Sequence, residues 1–94
     1  MKRKLNILVA CEESQAVCKA FRKLGHNAYS CDLLDCSGEH PEWHFNHDVS
    51  KVLDQSDLTL QNGEKAKIKG DWDIMIGHPY GAGRGQPAYH APKP

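Results

Sequence analysis

The sequence predicts an α/β fold built on a parallel half-sheet, and three observations carry that prediction. Residues 5–10 are a short, nearly continuous apolar run, the pattern of a strand covered on both faces. Val17, Cys18, Phe21 and Leu24 then recur at helical spacing. A second strand-like stretch, 26–33, follows directly, with Ala28, Tyr29 and Cys31 as its better strand formers. Strand, helix and strand within about 30 residues make a βαβ unit, whose crossover is almost always right-handed.

The first strand has a competing reading. Lys2-Arg3-Lys4, then an apolar run, then Leu8-Val9-Ala10-Cys11, has the outline of a bacterial lipoprotein signal. The run is only about six residues long and contains Asn6, whereas a working signal core needs about 7–15 residues. It therefore reads as a buried strand. Cys11-Glu12-Glu13-Ser14 is the polar turn that follows. Ser14 is the expected N-cap, and the acids beside it suit a helix N-terminus. A paired acid–base role for Glu12 and Glu13 is the alternative. Lys19, Arg22 and Lys23 load the C-terminal turns with positive charge and Gly25 supplies the stop, so the helix is expected over 14–24.

Residues 34–48 are irregular and rich in His, Asp, Gly and Pro. Val49 to Leu53 is expected to form a short helix. Leu58 and Leu60 alternate with polar residues, Asn62-Gly63 follows, and Ala66 and Ile68 alternate again, which is a hairpin signal. Gly70 ends it, and Trp72 to Ile76 is the next strand. Beyond Gly77 the apolar periodicity stops. Residues 81–94 hold three glycines and three prolines and read as a flexible tail. The expected organisation is thus one domain over 1–80, with a β-hairpin insertion, and a tail over 81–94.

Ninety-four residues allow one domain at most. Twelve Lys/Arg balance twelve Asp/Glu, so the basic excess of a dedicated nucleic-acid binder is missing, apart from the small basic N-terminus. No apolar run approaches the roughly 20 residues of a membrane span. Four cysteines, Cys11, Cys18, Cys31 and Cys36, are too sparse for a disulfide scaffold and read as free thiols of a reducing cytoplasm.

Two constellations carry chemistry. Asp32 closes the second strand about twenty residues after the first ends, where an acid accepts hydrogen bonds from the ribose of a bound nucleotide. The amides of the 11–14 turn, backed by the helix dipole, would face the same ligand. The glycine-rich fingerprint is absent, so a solvated strand-end acid is the other reading of Asp32. The second constellation is Cys31-x4-Cys36-x3-His40-x3-His44. Two thiols and two imidazoles within fourteen residues match a tetrahedral zinc set, with His47 as a spare ligand. The alternative is a buried thiol and a hydrogen-bonded His/Trp loop. Trp43 and Trp72 read as packing anchors.

Several motifs resemble, in order, those of a group of phage and bacterial DNA cytosine methyltransferase-like proteins. They are Ile7-Leu8-Val9-Ala10-Cys11-Glu12-Glu13-Ser14-Gln15, Cys31-Asp32-Leu33 with Cys36-Ser37-Gly38, His40-Pro41-Glu42-Trp43-His44, His47-Asp48, and Trp72-Asp73-Ile74-Met75-Ile76 followed by His78-Pro79. The resemblance implies a Rossmann-like methyltransferase half-sheet that binds S-adenosylmethionine. Ala10, Cys11 and Glu12 would lie against the methionine part, Asp32 at the ribose and Asp48 at the adenine ring. The strand at 72–76 would deliver His78 and Pro79 to the cofactor side.

At that point the sequence departs from the family. The family continues His-Pro-Pro-Cys, whose cysteine attacks carbon 6 of a flipped cytosine. This chain reads His78-Pro79-Tyr80-Gly81 and has no cysteine beyond Cys36. Tyr80 is read as a loop or tail residue rather than a base-stacking ring. The expectation is an S-adenosylmethionine-dependent DNA methyltransferase-like protein of a bacterial host cytoplasm, incomplete and inactive alone. DNA would be its partner if active. The alternative is a small phage-type interaction or inhibitor protein, pairing with a protein partner or with itself through an open sheet edge.

Overall fold

A computed structural model describes residues 3–77. His78, Pro79 and the expected tail over 81–94 lie outside the described residues. Among the described residues four strands form one sheet: β1 (Asn6–Ala10), β2 (Asn27–Cys31), β3 (His44–Phe45) and β4 (Ile74–Gly77). Two helices accompany it, α1 (Ala16–Lys23) and α2 (Val49–Leu53). The spatial order is β3-β2-β1-β4, and every pairing is parallel. β1 is one of the two inner strands and joins β2 to β4. Ile7 pairs with Ala28 on one side and with Ile74 on the other. All five of its residues are buried, which explains its continuous apolar sequence. Asn6, at its start, is the polar exception. Its side-chain amide donates to the Lys69 and Asp71 carbonyls, and its backbone amide donates to Asp73.

The pleat sends alternate β1 side chains into two cores. Ile7 and Val9 join Cys18 of α1 and Ala28 of β2, with Val17, Phe21 and Trp43 packed around them. Leu8 joins Cys31, Phe45, Val52 of α2 and Leu60 on the opposite face. Tyr29 and Trp72 flank Phe45 there, with ring centroids 5.3 and 6.4 Å from it.

The helix ends differ in how well the sequence foretells them. Gly25 takes φ 93°, Gly25 N–H donates to Arg22 and His26 N–H to Phe21, a Schellman stop at the expected glycine. The N-terminus is a correction. Ser14 does not cap α1, and the residue before the helix is Gln15, in a left-handed conformation with no capping side chain. The Glu12 carboxylate reaches over the turn instead, accepting from the amides of Val17 and Cys18. The helix-start role of Glu12 therefore holds, through side-chain hydrogen bonds as well as through charge. α2 spans Val49–Leu53 as expected, and Asp48 caps it by accepting from Ser50 N–H at 2.9 Å.

Two further expectations change. The hairpin contracts to a single antiparallel bridge between Thr59 and Lys65, closed around Gly63 at φ 93°. Leu60 N–H to Glu64 and Ala66 N–H to Leu58 complete it, and neither flank extends into a strand. Within the irregular 34–48 segment, a 3-10 turn (Pro41–Trp43) leads into β3, which pairs with Ser30 and Cys31.

Candidate functional site at the carboxyl ends of the strands

In open parallel sheets, ligands bind beyond the carboxyl ends of the strands, where the strand order changes direction. Here β2 and β3 lie on one side of β1 and β4 on the other. A cavity of about 120 Å³ opens beyond these ends, lined by Cys11, Cys31, Asp32, Leu33, His47 and Asp48. Cys11 follows β1 and adopts φ 59°, an uncommon conformation for a residue with a Cβ. The turn is fixed by the Glu12 N–H, which donates to the Cys31 carbonyl at 3.2 Å. Asp32 follows β2. Its N–H donates to Phe45, and its Oδ1 accepts from Leu34 N–H at 2.9 Å, so the carboxylate is oriented by its own turn.

The electrostatics of the cavity are anionic. Burial, and then the Asp32 carboxylate, push the Cys11 thiol upward. Cys31, buried beneath, is pushed up to about 12 by desolvation, and its S–H donates to the His47 carbonyl. Neither thiol is activated as a nucleophile. Asp48 is held below the ordinary aspartate value by hydrogen bonds from Ser50, backbone and then hydroxyl. His47 Nε2–H donates to the Thr59 carbonyl at 2.8 Å, which ties the cavity wall to the hairpin.

The structure thus brings Cys11, Asp32 and Asp48 to one cavity, with Ala10 buried behind Cys11. Glu12 is not among the lining residues, because its carboxylate serves α1. Leu33, part of the Cys31-Asp32-Leu33 motif but given no role by it, and Val49, which belongs to no motif, also line the cavity. Their contribution is apolar contact, visible only once β2 and α2 are placed side by side.

Cys31, Cys36, His40 and His44 are not gathered into one cluster. Among the described residues no group of three or more His, Cys, Asp or Glu is arranged to hold a metal ion. Each has a different engagement. His40 stacks on Trp43 at 3.9 Å and its Nδ1 meets Glu42 at 2.8 Å. His44 is fully buried, with Nε2 at the Leu34 carbonyl and Nδ1 at the Ser30 hydroxyl. Because a carbonyl only accepts, Nε2 carries the proton and Nδ1 accepts from Ser30. Ser30 in turn accepts from Gln15 Nε2, giving a one-directional chain Gln15→Ser30→His44→Leu34. Gln15 also exchanges hydrogen bonds with the backbone of His40. Gln15 closes the first of the resembling motifs and Ser30 lies in none, and nothing in their spacing indicates that they meet. Ser30 and His44 are both fully enclosed, so this Ser–His contact organises the loop and does not face a substrate.

Comparison with family models, curated proteins and solved structures returns no match.

Proposed function

We propose that the carboxyl-end site binds S-adenosylmethionine and that the chain is a Rossmann-like methyltransferase domain. The observation that carries this reading is Asp32, fixed at the carboxyl end of β2 beside the left-handed turn at Cys11, in a parallel sheet of order 3-2-1-4. That order begins the classical dinucleotide-binding arrangement, in which an acid at this place receives ribose hydroxyls. The residues fit the nucleoside end of such a cofactor: an oriented carboxylate, the apolar Leu33 and Val49, and Asp48 across the cavity. A cavity of about 120 Å³ is small beside the roughly 300–1,000 Å³ of ligand pockets, so it takes only part of the cofactor.

The bound cofactor would supply an electrophilic methyl group. This chain's own residues would bind and orient it. With Gly81 where the resembling family has its cysteine, and with both cavity thiols held protonated, we propose no transfer to cytosine carbon 5 by this chain alone. The bacterial host cytoplasm and a DNA partner belong to the same proposal. Among the described residues, no helix is long and apolar enough to cross a membrane.

Calorimetric titration with S-adenosylmethionine and with its demethylated product tests the binding. Heat of binding is expected, and Asp32→Asn should weaken it about tenfold or more while keeping the turn to Leu34. Absence of heat and of any thermal shift at millimolar ligand would refute the reading. A second reading, a scaffold for protein interaction, is favoured by β4. It is an edge strand among the described residues, and Ile74 is 38% exposed on it. A concentration-dependent dimer without cofactor affinity would favour that alternative.

A further inference from the structure

A groove of about 800 Å³, which shares no lining residue with the carboxyl-end cavity, runs along α1. Lys4 precedes β1 and Asn27 begins β2, so the groove opens at the amino ends of the strands. Its origin lies in the connection from β2 to β3. Parallel crossovers are usually helical, but here residues 32–43 supply one 3-10 turn. The flank of α1 beside that connection is therefore left without a neighbouring helix.

The groove is not lined as a seat for an apolar helix. Lys4, Lys19, Arg22 and Lys23 line it together with His26 and Trp43, and among the described residues no carboxylate does. Lys19, Arg22 and Lys23 stand at i, i+3 and i+4, on one face of α1. Among the described residues none of these four cations forms an ion pair. Glu42, near Arg22, is held by His40.

Arg22 is also preorganised. β3 is too short to cover the carbonyl of Ala28, and Arg22 Nε donates to it at 2.7 Å. Its guanidinium lies over the rings of Tyr29 and Trp43, at 4.8 and 4.6 Å. His26 accepts the Leu5 amide at Nδ1, so its Nε2 carries the proton and is a donor. The neutral total charge conceals this asymmetry. Residues 1–30 contain six Lys/Arg and two Asp/Glu, and one of those acids, Glu12, is buried at the start of α1.

We propose that this groove binds the phosphodiester backbone of nucleic acid, without reading its sequence. Charge density selects this occupant. A duplex offers one negative charge per about 1.7 Å of axis. A fully acidic extended peptide offers one per about 3.3–3.6 Å. Both faces of β1 are already covered, and Trp43 is already stacked by His40 and Arg22, so base stacking contributes nothing to recognition. Phosphate contacts position a protein without specifying sequence. The proposal does not rest on cofactor binding at the other end of the sheet.

Fluorescence anisotropy of the full chain with a labelled 20-base-pair duplex of arbitrary sequence tests it. Four cations predict a log–log salt slope of about −3.6 and an affinity falling about a hundredfold between 50 and 200 mM salt. The double substitution Lys19→Gln and Lys23→Gln should flatten the slope by about 1.8. Both are polar replacements on the outer face of α1, and an unchanged circular dichroism spectrum verifies their folding. Lys51→Gln, on α2, and Asp32→Asn should leave the duplex affinity and slope within about twofold of wild type. No binding at 50 mM salt, a slope unmoved by the double substitution, or equal binding of poly-glutamate would each overturn the proposal. Loss of cofactor binding in Asp32→Asn with retained duplex binding keeps the two proposals separate.

Discussion

Replacing Glu12 by alanine perturbs the start of α1 at one atom group, and the structure sets the scale. Glu12 is 5% exposed, and its carboxylate accepts from two amides, Val17 and Cys18. Cys18 is fully enclosed, so its amide gains no water when the carboxylate leaves. One orphaned buried donor costs about 1–3 kcal/mol. Removing a negative charge from a helix N-terminus costs a further 0.3–2 kcal/mol or about that. Val17 is partly accessible and recovers its bond to water. Glu12→Ala should therefore destabilise by about 2–4 kcal/mol, and Glu12→Gln, which keeps an acceptor oxygen, by about 1 kcal/mol. For a domain of this length, 3 kcal/mol is a fall in Tm of about 12–24 °C. Urea denaturation monitored by circular dichroism gives both values. A loss below about 1 kcal/mol for Glu12→Ala, or equal losses for the two variants, would refute the capping argument. A gain in stability would point instead to a strained ligand-binding acid.

Two more outcomes follow from packing and titration. A Cβ added at Gly38 would fall inside van der Waals contact of the Ser14 carbonyl oxygen and the Gln15 side chain, so Gly38→Ala should cost about 1–3 kcal/mol by urea denaturation. Burial raises both Cys18 and Cys31 to about 12 in the folded chain, against an ordinary value of 9.0. An acid whose folded value is raised keeps its proton when the unfolded chain loses it. Stability is thus fully present below pH 9 and is lost as pH rises from 9 towards 12, by up to about 1.4 kcal/mol per pH unit for each thiol. Cys18→Ala should reduce that alkaline slope by up to about 1.4 kcal/mol per pH unit in denaturation curves collected across this range, and an unchanged slope would exclude Cys18 as a source of it.

What the sequence revealed depended on how local the signal was. The five buried residues of β1, the Schellman stop at Gly25 and the whole of α2 are written in adjacent residues, and each was legible. β3 was not, because two residues, His44 and Phe45, carry no periodicity, and they become a strand only by pairing with Ser30 and Cys31. The capping role fell to Glu12 instead of Ser14 because the left-handed backbone at Cys11 and Gln15 folds the turn over on itself. The His and Cys spacing suggested a metal cluster. The burial that locks His44 onto Ser30 and Cys31 onto His47 arises from elements that the spacing does not describe. At the candidate site, the resemblance pointed to Cys11, Asp32 and Asp48, and these share a cavity. It pointed equally to Glu12, which turns the other way. The cationic groove was hidden by a neutral total, since balance over the chain says nothing of balance over a face.

The position of β1 at the middle of the sheet has a consequence for synthesis. Its pairing with β2 closes a loop of about 21 residues, Ile7 to Ala28, whereas its pairing with β4 spans Ile7 to Ile74. The longer closure costs about 1 kcal/mol more in chain entropy. It also waits for the ribosome, since β2 ends at Cys31 and β4 at Gly77. At about 5–20 residues per second, the nascent chain spends roughly 2–9 seconds with one flank of its most apolar strand unpaired. During that interval β1 is open to pairing with another nascent chain or to capture by a chaperone, and the arrival of β4 ends that exposure.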